Sequence, residues 1–479
     1  MLDTSVFCII GAGVSGLVSA KYCIQKGYHT IVLDKNPDIG GVWYDKSYKD
    51  VRLQTLKSSY SFSDFPHSRH TSNYPTRHEL FDYFNRYCDR FGIRQYCKFN
   101  TTIIRTEYIA HLCKWNVIYL NGETMTEHLI VVDYLIVASG FYTKPHIPPQ
   151  LLSSPSPYST SSLPPNIIHS SQFSFKGKKS FEIFKNKRVV IIGNGPTGCD
   201  LAVSAFDHQA TSVSLLYRTK RWLFKRSVFK GHTNWLLNRF MMKLGQKLSL
   251  TLFVALLGTL YYTIVYLRKV FIVKPIFPFA RITRKNLVIN DKIIKYSYLK
   301  KIHYNQHTKF NINTKKQIVT SIDGAQLGKQ LGKQLGKEYP YDLCILATGF
   351  QSNIPFMKMK SIPYLYKRII HPDIKHCCFI GFSASFNWIQ VSEFQIQWYL
   401  LYLENLEKGN GIQPSRDEMY QYIRNEILKN NQMNFDYHDL AVRAFEYCDE
   451  LSLDLGKKNK YSPYNYKYWL YPPEPDLWS

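Results

Sequence analysis

Two short stretches constrain this chain more than any others. Residues 6–17 read V-F-C-I-I-G-A-G-V-S-G-L, and residues 189–201 read V-V-I-I-G-N-G-P-T-G-C-D-L. In each, an apolar run rich in β-branched residues predicts a buried strand, and three glycines at G-x-G-x-x-G spacing open a helix. The first glycine (Gly11, Gly193) permits the tight turn. The second (Gly13, Gly195) lets backbone approach a pyrophosphate, and the third (Gly16, Gly198) lets helix and strand pack closely. The helix N-terminus then aims its unpaired amides at the phosphates. A lone turn of this kind is weak evidence. Two, each after a strand and before a helix, predict an α/β chain with two Rossmann-like dinucleotide-binding units. Such a chain brings two dinucleotides together, as transfer of a hydride from one to the other requires.

The strands that follow the two turns end differently. After the first turn, a helix over 14–26 closes at Gly27, and a strand over 30–33 ends in Asp34. A carboxylate there accepts hydrogen bonds from ribose and repels a 2′-phosphate, so this unit is expected to hold FAD or NAD and not NADP. After the second turn, a strand over 212–216 runs into Y-R-T-K-R-W. Arg218, Lys220 and Arg221 stand where the acid stood, and their charge-assisted hydrogen bonds match a 2′-phosphate. That contrast assigns FAD to the first unit and NADPH to the second. A solvated basic run is the competing reading of 218–221.

At 479 residues the chain has room for two or three domains. Hydrophobic residues at 45% and charged residues at 20% exclude global disorder. The 61 Lys plus Arg against 35 Asp plus Glu give a net charge of +26. Such a field attracts anionic cofactors, nucleic acid or anionic lipid. No nucleic-acid motif accompanies it, so the expectation is a diffuse basic surface, with membrane lipid as the preferred macroscopic partner and no nucleic acid. The ten cysteines are scattered without a C-x-x-C. This argues against a disulfide reductase and against zinc, and no metal site is expected. Strand-forming residues begin at Val6 with no basic-then-apolar leader, so a reducing compartment is expected.

Elsewhere, Thr76 and Glu79 have capping-box spacing, and Leu80, Phe81, Phe84, Tyr87, Cys88 and Phe91 recur at helical spacing as a core-facing helix. Short strands are expected over 99–133, with a turn at Asn121 and Gly122. The buried run 134–140 ends in small residues (Ala138, Ser139, Gly140), and 341–350 repeats the design with Ala347, Thr348 and Gly349. Such endings allow close approach of a cofactor. Residues 151–165 are Ser/Pro-rich and mark a linker. Residues 248–267 carry no charge and are flanked by Lys243, Lys247, Arg268 and Lys269. Their length suits a bilayer span, but a crossing would separate the two units, so an interfacial segment or a buried helix pair remains. The L-G-K-Q repetition over 327–338 is expected at a hairpin tip.

Gly40-Gly41-Val42-Trp43, then R-L-Q-T at 52–55 and F-S-D-F-P at 62–66, resemble the flavin-containing monooxygenases, a family of class B flavoprotein monooxygenases. The plant N-hydroxylating branch is nearest in motifs. The resemblance implies that Gly41, Val42 and Trp43 lie along the flavin with Val14, Ser15 and the small residues at 138–140. It places Gln54 where the family has an asparagine that touches flavin and substrate, making Gln54 the catalytic candidate. Pro196 and Thr197 join the second cradle. The F-x-G-x-x-x-H-x-x-x-F motif is altered: Leu163 and Pro165 replace its first aromatic and glycine, while His169 and Phe173 remain. His169 is then either part of that motif or an ordinary surface or hinge residue. The implied architecture is an FAD-binding domain over 1–175 and 338–479, interrupted by an NADPH-binding domain over 176–337. The hydrophobic segment at about 245–275 contacts membrane in many relatives.

The implied chemistry is hydride transfer from NADPH to flavin, followed by delivery of one oxygen atom from a flavin hydroperoxide to a small amine or sulfide. Little acid–base machinery is required, and no catalytic triad or carboxylate pair is visible. Baeyer–Villiger oxygenation, uncoupled NADPH oxidation, and a non-catalytic membrane-associated nucleotide-binding protein are the alternatives. The expected location is cytoplasmic, with association to the endoplasmic reticulum membrane.

Overall fold

Both strand–turn–helix stretches fold as their apolar patterning requires. The computed structural model describes residues 4–151, 163–173, 180–219, 221–228, 231–232, 287–307, 309–322, 336–357, 359, 362–385, 387–409, 414–432 and 443–457. In chain order the first part supplies β1 (Val6–Ile10), α1 (Val14–Gln25), β2 (His29–Leu33), α2 (Arg77–Arg90) and β3 (Cys97–Lys98). An antiparallel meander follows, β4 (Thr101–Ile109), β5 (Lys114–Asn121) and β6 (Glu127–Val132), and then β7 (Tyr134–Val137). The middle part contains β8 (Ile167–His169), β9 (Arg188–Ile192), α3 (Pro196–Asp207), β10 (Ser212–Tyr217), α4 (Asp291–Tyr298) and β11 (His303–Gln306). It continues through β12 (Lys309–Asn313), β13 (Ile318–Ile322), β14 (Glu338–Pro340) and β15 (Leu343–Leu346). The last part is β16 (Cys377–Phe379), α5 (Trp388–Lys408), α6 (Arg416–Gln432) and α7 (Ala444–Asp454).

Two five-stranded parallel sheets result, in the orders β16-β7-β1-β2-β3 and β11-β10-β9-β15-β8. Each centres on the strand that precedes a glycine turn. Register places Ile10 beside Leu33 and Val137 in one sheet, and Ile192 beside Leu216 and Leu346 in the other. Each glycine turn, the Asp34 or Arg218 strand end, and the Ala138 or Ala347 strand end therefore leave their sheet along one edge. That carboxyl edge is where open α/β sheets take ligands.

The strands are covered on both faces, which explains their unbroken apolar runs. Phe7 and Ile9 pack with Leu17 and Val18 of α1, while Cys8 and Ile10 face Trp115 and Val117 of the meander. Burying each such aliphatic side chain contributes roughly 1.5–3 kcal/mol. Helix α5 lies against α1, joined by a hydrogen bond of 2.9 Å between the Ser15 and Ser392 hydroxyls. At α2 the capping box forms as the spacing predicts. The Thr76 hydroxyl accepts from the Glu79 amide, and the Glu79 carboxylate accepts from the Thr76 amide. Leu80, Phe84, Tyr87 and Cys88 are buried in the core.

Several expectations shift. The meander strands β4 and β5 run to 9 and 8 residues, longer than the short strands the sequence suggests. Strands β8 and β15, which boundaries at 175 and 338 would assign to the first unit, hydrogen-bond inside the second sheet. The physical reason is that Ile167 and Ile168 are apolar enough to complete that sheet's edge, in a strand of only three residues. β13 and β14 pair antiparallel around the L-G-K-Q region, of which 327–335 lie outside the described residues. The 245–275 segment and Lys220 also lie outside them. Among the described residues no helix is long and apolar enough to cross a membrane.

Candidate active site

The three glycines of each turn divide their work alike. Gly11 and Gly193 have φ of +109° and +111°, and a Cβ on either would lie 2.5 or 2.4 Å from the carbonyl oxygen of Ala138 or Ala347. A Cβ on Gly16 or Gly198 would lie 1.7 or 1.8 Å from the Gly11 or Gly193 carbonyl oxygen. These positions are closed by packing. The middle glycines are open: the nearest atom to a Cβ on Gly13 would be 3.6 Å away, and on Gly195 none lies within 4 Å. Gly13 and Gly195 are also the N-caps of α1 and α3, with no side-chain cap and no acidic residue in the first turn. Their first-turn amides are thereby kept for an anion, which fits two pyrophosphate groups.

Both cradles open onto one cavity of about 1630 Å³. From the first unit its wall includes Gly11, Gly13, Val14, Ser15, Asp34, Gly41, Val42, Trp43, Gln54, Ala138 and Gly140. From the second it includes Gly193, Gly195, Pro196, Thr197, Arg218, Arg221, Ala347, Thr348 and Gly349. Gly16 and Gly198 stand behind the wall, as their packing role requires.

The Asp34 carboxylate is buried and engaged by backbone, accepting from the Ala12 amide at 2.6 Å and the Asn36 amide at 2.7 Å. Burial raises its pKa, and these two amides oppose the rise. Each oxygen keeps a second lone pair for a further donor. The Gly40 amide donates to the Ala12 carbonyl at 2.9 Å, which seats the Gly-Gly loop over the first turn. The Trp43 indole is oriented by donating to the Tyr60 hydroxyl at 3.0 Å.

In the second unit Arg221 is the better-positioned base. Its Nε donates to Asn194 Oδ1 at 3.2 Å, while Asn194 Nδ2 donates to the Tyr304 hydroxyl at 2.9 Å and the Thr219 carbonyl at 3.1 Å. Asn194, the residue between the first two glycines, thus carries a positioning task that the motif itself does not announce. Arg218 is exposed beside it.

Several polar wall residues were not singled out by sequence. Lys46 donates to the carbonyls of Tyr142 and Thr143, and burial brings its pKa down to about 8. Asp200 accepts from the Tyr48 hydroxyl at 2.6 Å and from Asn290 Nδ2 at 2.5 Å, and burial pushes its carboxyl up to about 6. Asn290 caps α4 by accepting from the Ile293 amide at 2.9 Å, and Asp291 pairs with Arg226 at 3.0 Å. Gln54 Oε1 accepts from the Ile289 amide at 3.4 Å.

The segments leaving and re-entering the first unit are zipped together. Lys144 and Pro145 pair antiparallel with Gln351 and Phe350, and the Thr143 hydroxyl donates to the Gln351 carbonyl at 2.7 Å. His169 reinforces this seam. It is fully buried, not a surface residue, with Nε2 3.1 Å from the Gly349 carbonyl. The Ser171 amide donates to its Nδ1 at 3.2 Å, so Nε2 carries the proton. Burial holds the ring pKa down to about 4 and keeps it neutral.

The flavin-binding monooxygenase-like family matches residues 5–466. Flavin-containing monooxygenase 5 of Cavia porcellus is 28% identical over 483 residues, spanning 94% of this chain and 82% of the relative. The structure of S-allyl-L-cysteine S-oxygenase from Allium sativum is similar with a TM-score of 0.63 at 18% identity, covering 95% of this chain and 89% of that one. That of OTEMO in complex with FAD and NADP reaches 0.67 at 17% identity, covering 94% and 98%. With a match that runs through both nucleotide-binding units and the cavity they share, the chain belongs to the flavin-binding monooxygenase-like family.

Proposed function

We propose that this chain is an FAD-dependent monooxygenase that consumes NADPH and O2 and adds one oxygen atom to a nucleophilic nitrogen or sulfur of a small molecule. The observation that carries this reading is the pair of open glycine cradles, at Gly13 and Gly195, facing one cavity. Bound together there, FAD and NADPH would supply the reducing equivalents and the oxygen chemistry. The chain's own task is to hold, orient and dry. The first turn with Asp34 holds FAD. The second turn, with Arg218, Arg221 and Lys220, holds NADPH, and the small residues at 138–140 and 347–349 let both approach the sheet edges. Phe141, Tyr142, Phe350 and Trp388 form an aromatic part of the wall, with ring centroids 5.8–6.5 Å apart along the chain of contacts, and exclude water. Gln54 offers an amide hydrogen bond beside the reacting groups.

The same reading divides the chain into an FAD domain and an inserted NADPH domain that starts at β8 and ends after β15. It places the protein in the cytoplasm, against a membrane surface through the 245–275 segment. The apolar composition of that segment, its basic flanks and the net charge of +26 support the contact. Baeyer–Villiger oxygen insertion is the second reading, favoured by Arg52 on the cavity wall.

Purified protein is expected to show the absorption of oxidised flavin and to oxidise NADPH only with O2 present. An amine or sulfide from a panel should accelerate turnover and appear as its oxide. Lack of bound flavin overturns the proposal. Stoichiometric peroxide with every amine and sulfide makes the protein an oxidase, and lactone or ester from a ketone establishes the second reading.

A further inference from the structure

Gln54 carries an amide whose two ends are chemically opposite, and the structure decides which end is used where. The Ile289 backbone amide is a donor, so only Oε1 of Gln54 can face it, at 3.4 Å. The Nε2 hydrogens are left for an occupant of the cavity that Gln54 lines. Ile289 ends a short strand, Leu287–Ile289, paired with Trp222–Phe224, and the side chain of the next residue anchors that end. Asn290 is pinned at both ends: Oδ1 accepts from the Ile293 amide at 2.9 Å, and Nδ2 donates to Asp200 Oδ1 at 2.5 Å. Asn290 cannot flip without losing both bonds. Asp200, in the second turn of α3, is held in turn by the Tyr48 hydroxyl at 2.6 Å. Tyr48, Asn290 and Ile289 are 5%, 5% and 2% exposed, so these polar groups have little water to fall back on.

We propose that Asp200 is a positioning residue for oxygen transfer: held in place by the Tyr48 hydroxyl, it acts through Asn290 and Ile289 to fix Gln54 with its amide nitrogen towards the cavity. The inference rests on the monooxygenase reading above. It gives Gln54 the role of donor, and it couples a residue of the second glycine helix to a group 146 positions earlier in the chain. Removing Asp200 would leave Nδ2 of Asn290 unpaired, loosen the end of the strand at Ile289 although its pairing with Phe224 remains, and let the Gln54 amide turn over.

The test is a double-mutant cycle on the flavin-loaded enzyme, with a sulfide or amine that the wild type oxygenates. Asp200→Ala is expected to lower product-forming kcat/KM about tenfold and to raise the share of NADPH spent on peroxide. Gln54→Leu should do likewise. Combined, the two should lower kcat/KM no further than Gln54→Leu alone. Asp200→Asn should restore most of the loss, because its amide oxygen can still meet Asn290 while its nitrogen donates to the Tyr48 hydroxyl. Full, multiplicative losses in the double variant overturn the proposal, as does an Asp200→Asn no better than Asp200→Ala. If Gln54→Leu leaves kcat/KM unchanged, the donor role of Gln54 fails and the inference with it, while flavin-dependent oxygenation itself stands. Should Asp200→Ala not retain flavin, Tyr48→Phe, which removes one hydroxyl, runs through the same cycle with the same non-additivity expected.

Discussion

His169 offers a quantitative test of the seam between the two units. Its Nδ1 accepts from the Ser171 amide and its Nε2 donates to the Gly349 carbonyl, so the site accommodates only the neutral ring. Burial moves its pKa from 6.5 to about 4. The unfolded chain protonates this histidine as pH falls below 6.5, while the folded chain resists until about 4. Folding stability is therefore lost across that interval and is fully present above it. At 1.36 kcal/mol per pH unit, the fall from 6.5 to about 4 corresponds to about 3 kcal/mol. Replacing the ring with a neutral amide, His169→Asn, removes this titration. Urea denaturation of wild type and variant should be followed at a series of pH values from 8 to 4. The wild-type stability minus that of the variant should be constant at the alkaline end and fall by about 3 kcal/mol towards pH 4. A difference that stays flat to within about 1 kcal/mol would refute the claim that His169 is held neutral at the seam.

Four other substitutions have expected outcomes. Gly198→Ala should abolish stable folding of the second unit, because its Cβ would lie 1.8 Å from the Gly193 carbonyl. Gly195→Ala should fold normally yet lose NADPH affinity, since its Cβ meets no protein atom within 4 Å and fills the cradle; thermal melts with NADPH titration separate the two, and equal melts would sink the packing argument. Arg221→Ala should raise the KM for NADPH by roughly tenfold or more relative to NADH, one charge-assisted hydrogen bond being worth roughly 1.5–3 kcal/mol; equal effects on both nucleotides mean the base does not read the 2′-phosphate. Glu393, 3% exposed on α5 and accepting from the Ser63 amide at 3.1 Å, has its carboxyl pushed up to about 7 by burial. Its folded pKa lies above the unfolded value of 4.5, so the contribution of Glu393 to stability is full below 4.5 and is lost as pH rises to 7; the wild-type stability minus that of Glu393→Gln should fall across this interval, and a difference that stays flat would show that Glu393 does not titrate this way.

Much of the site was legible because its signals are local. A strand, three glycines and a helix start occupy twelve or thirteen residues, and the charge at the next strand end lies 21 or 23 positions beyond the second glycine of its turn. The capping box of α2 and the small-residue strand ends at 138–140 and 347–349 are equally short-range. Residues picked on such grounds, from Gly11 to Gly349, lie on one cavity wall or pack directly behind it, save Lys220, which lies outside the described residues. The three-residue strand β8 was not legible, because so short a run shows no periodicity, and the sheet it joins is defined by a partner about 180 positions away.

The sequence by itself determined that there are two dinucleotide cradles, that one strand end is acidic and the other basic, and that each cradle has an open middle glycine. It determined these because strand, turn and helix preferences act over a few residues at a time. Only the tertiary structure decided that both cradles share one cavity, that His169 is neutral and buried against Gly349, and that Tyr48, Asp200, Asn290 and Ile289 connect the second helix to Gln54. Those contacts join residues 90 to 235 positions apart. Each depends on a buried donor finding an acceptor once two separately patterned units have docked, a condition of space and desolvation that no local spacing along the chain records.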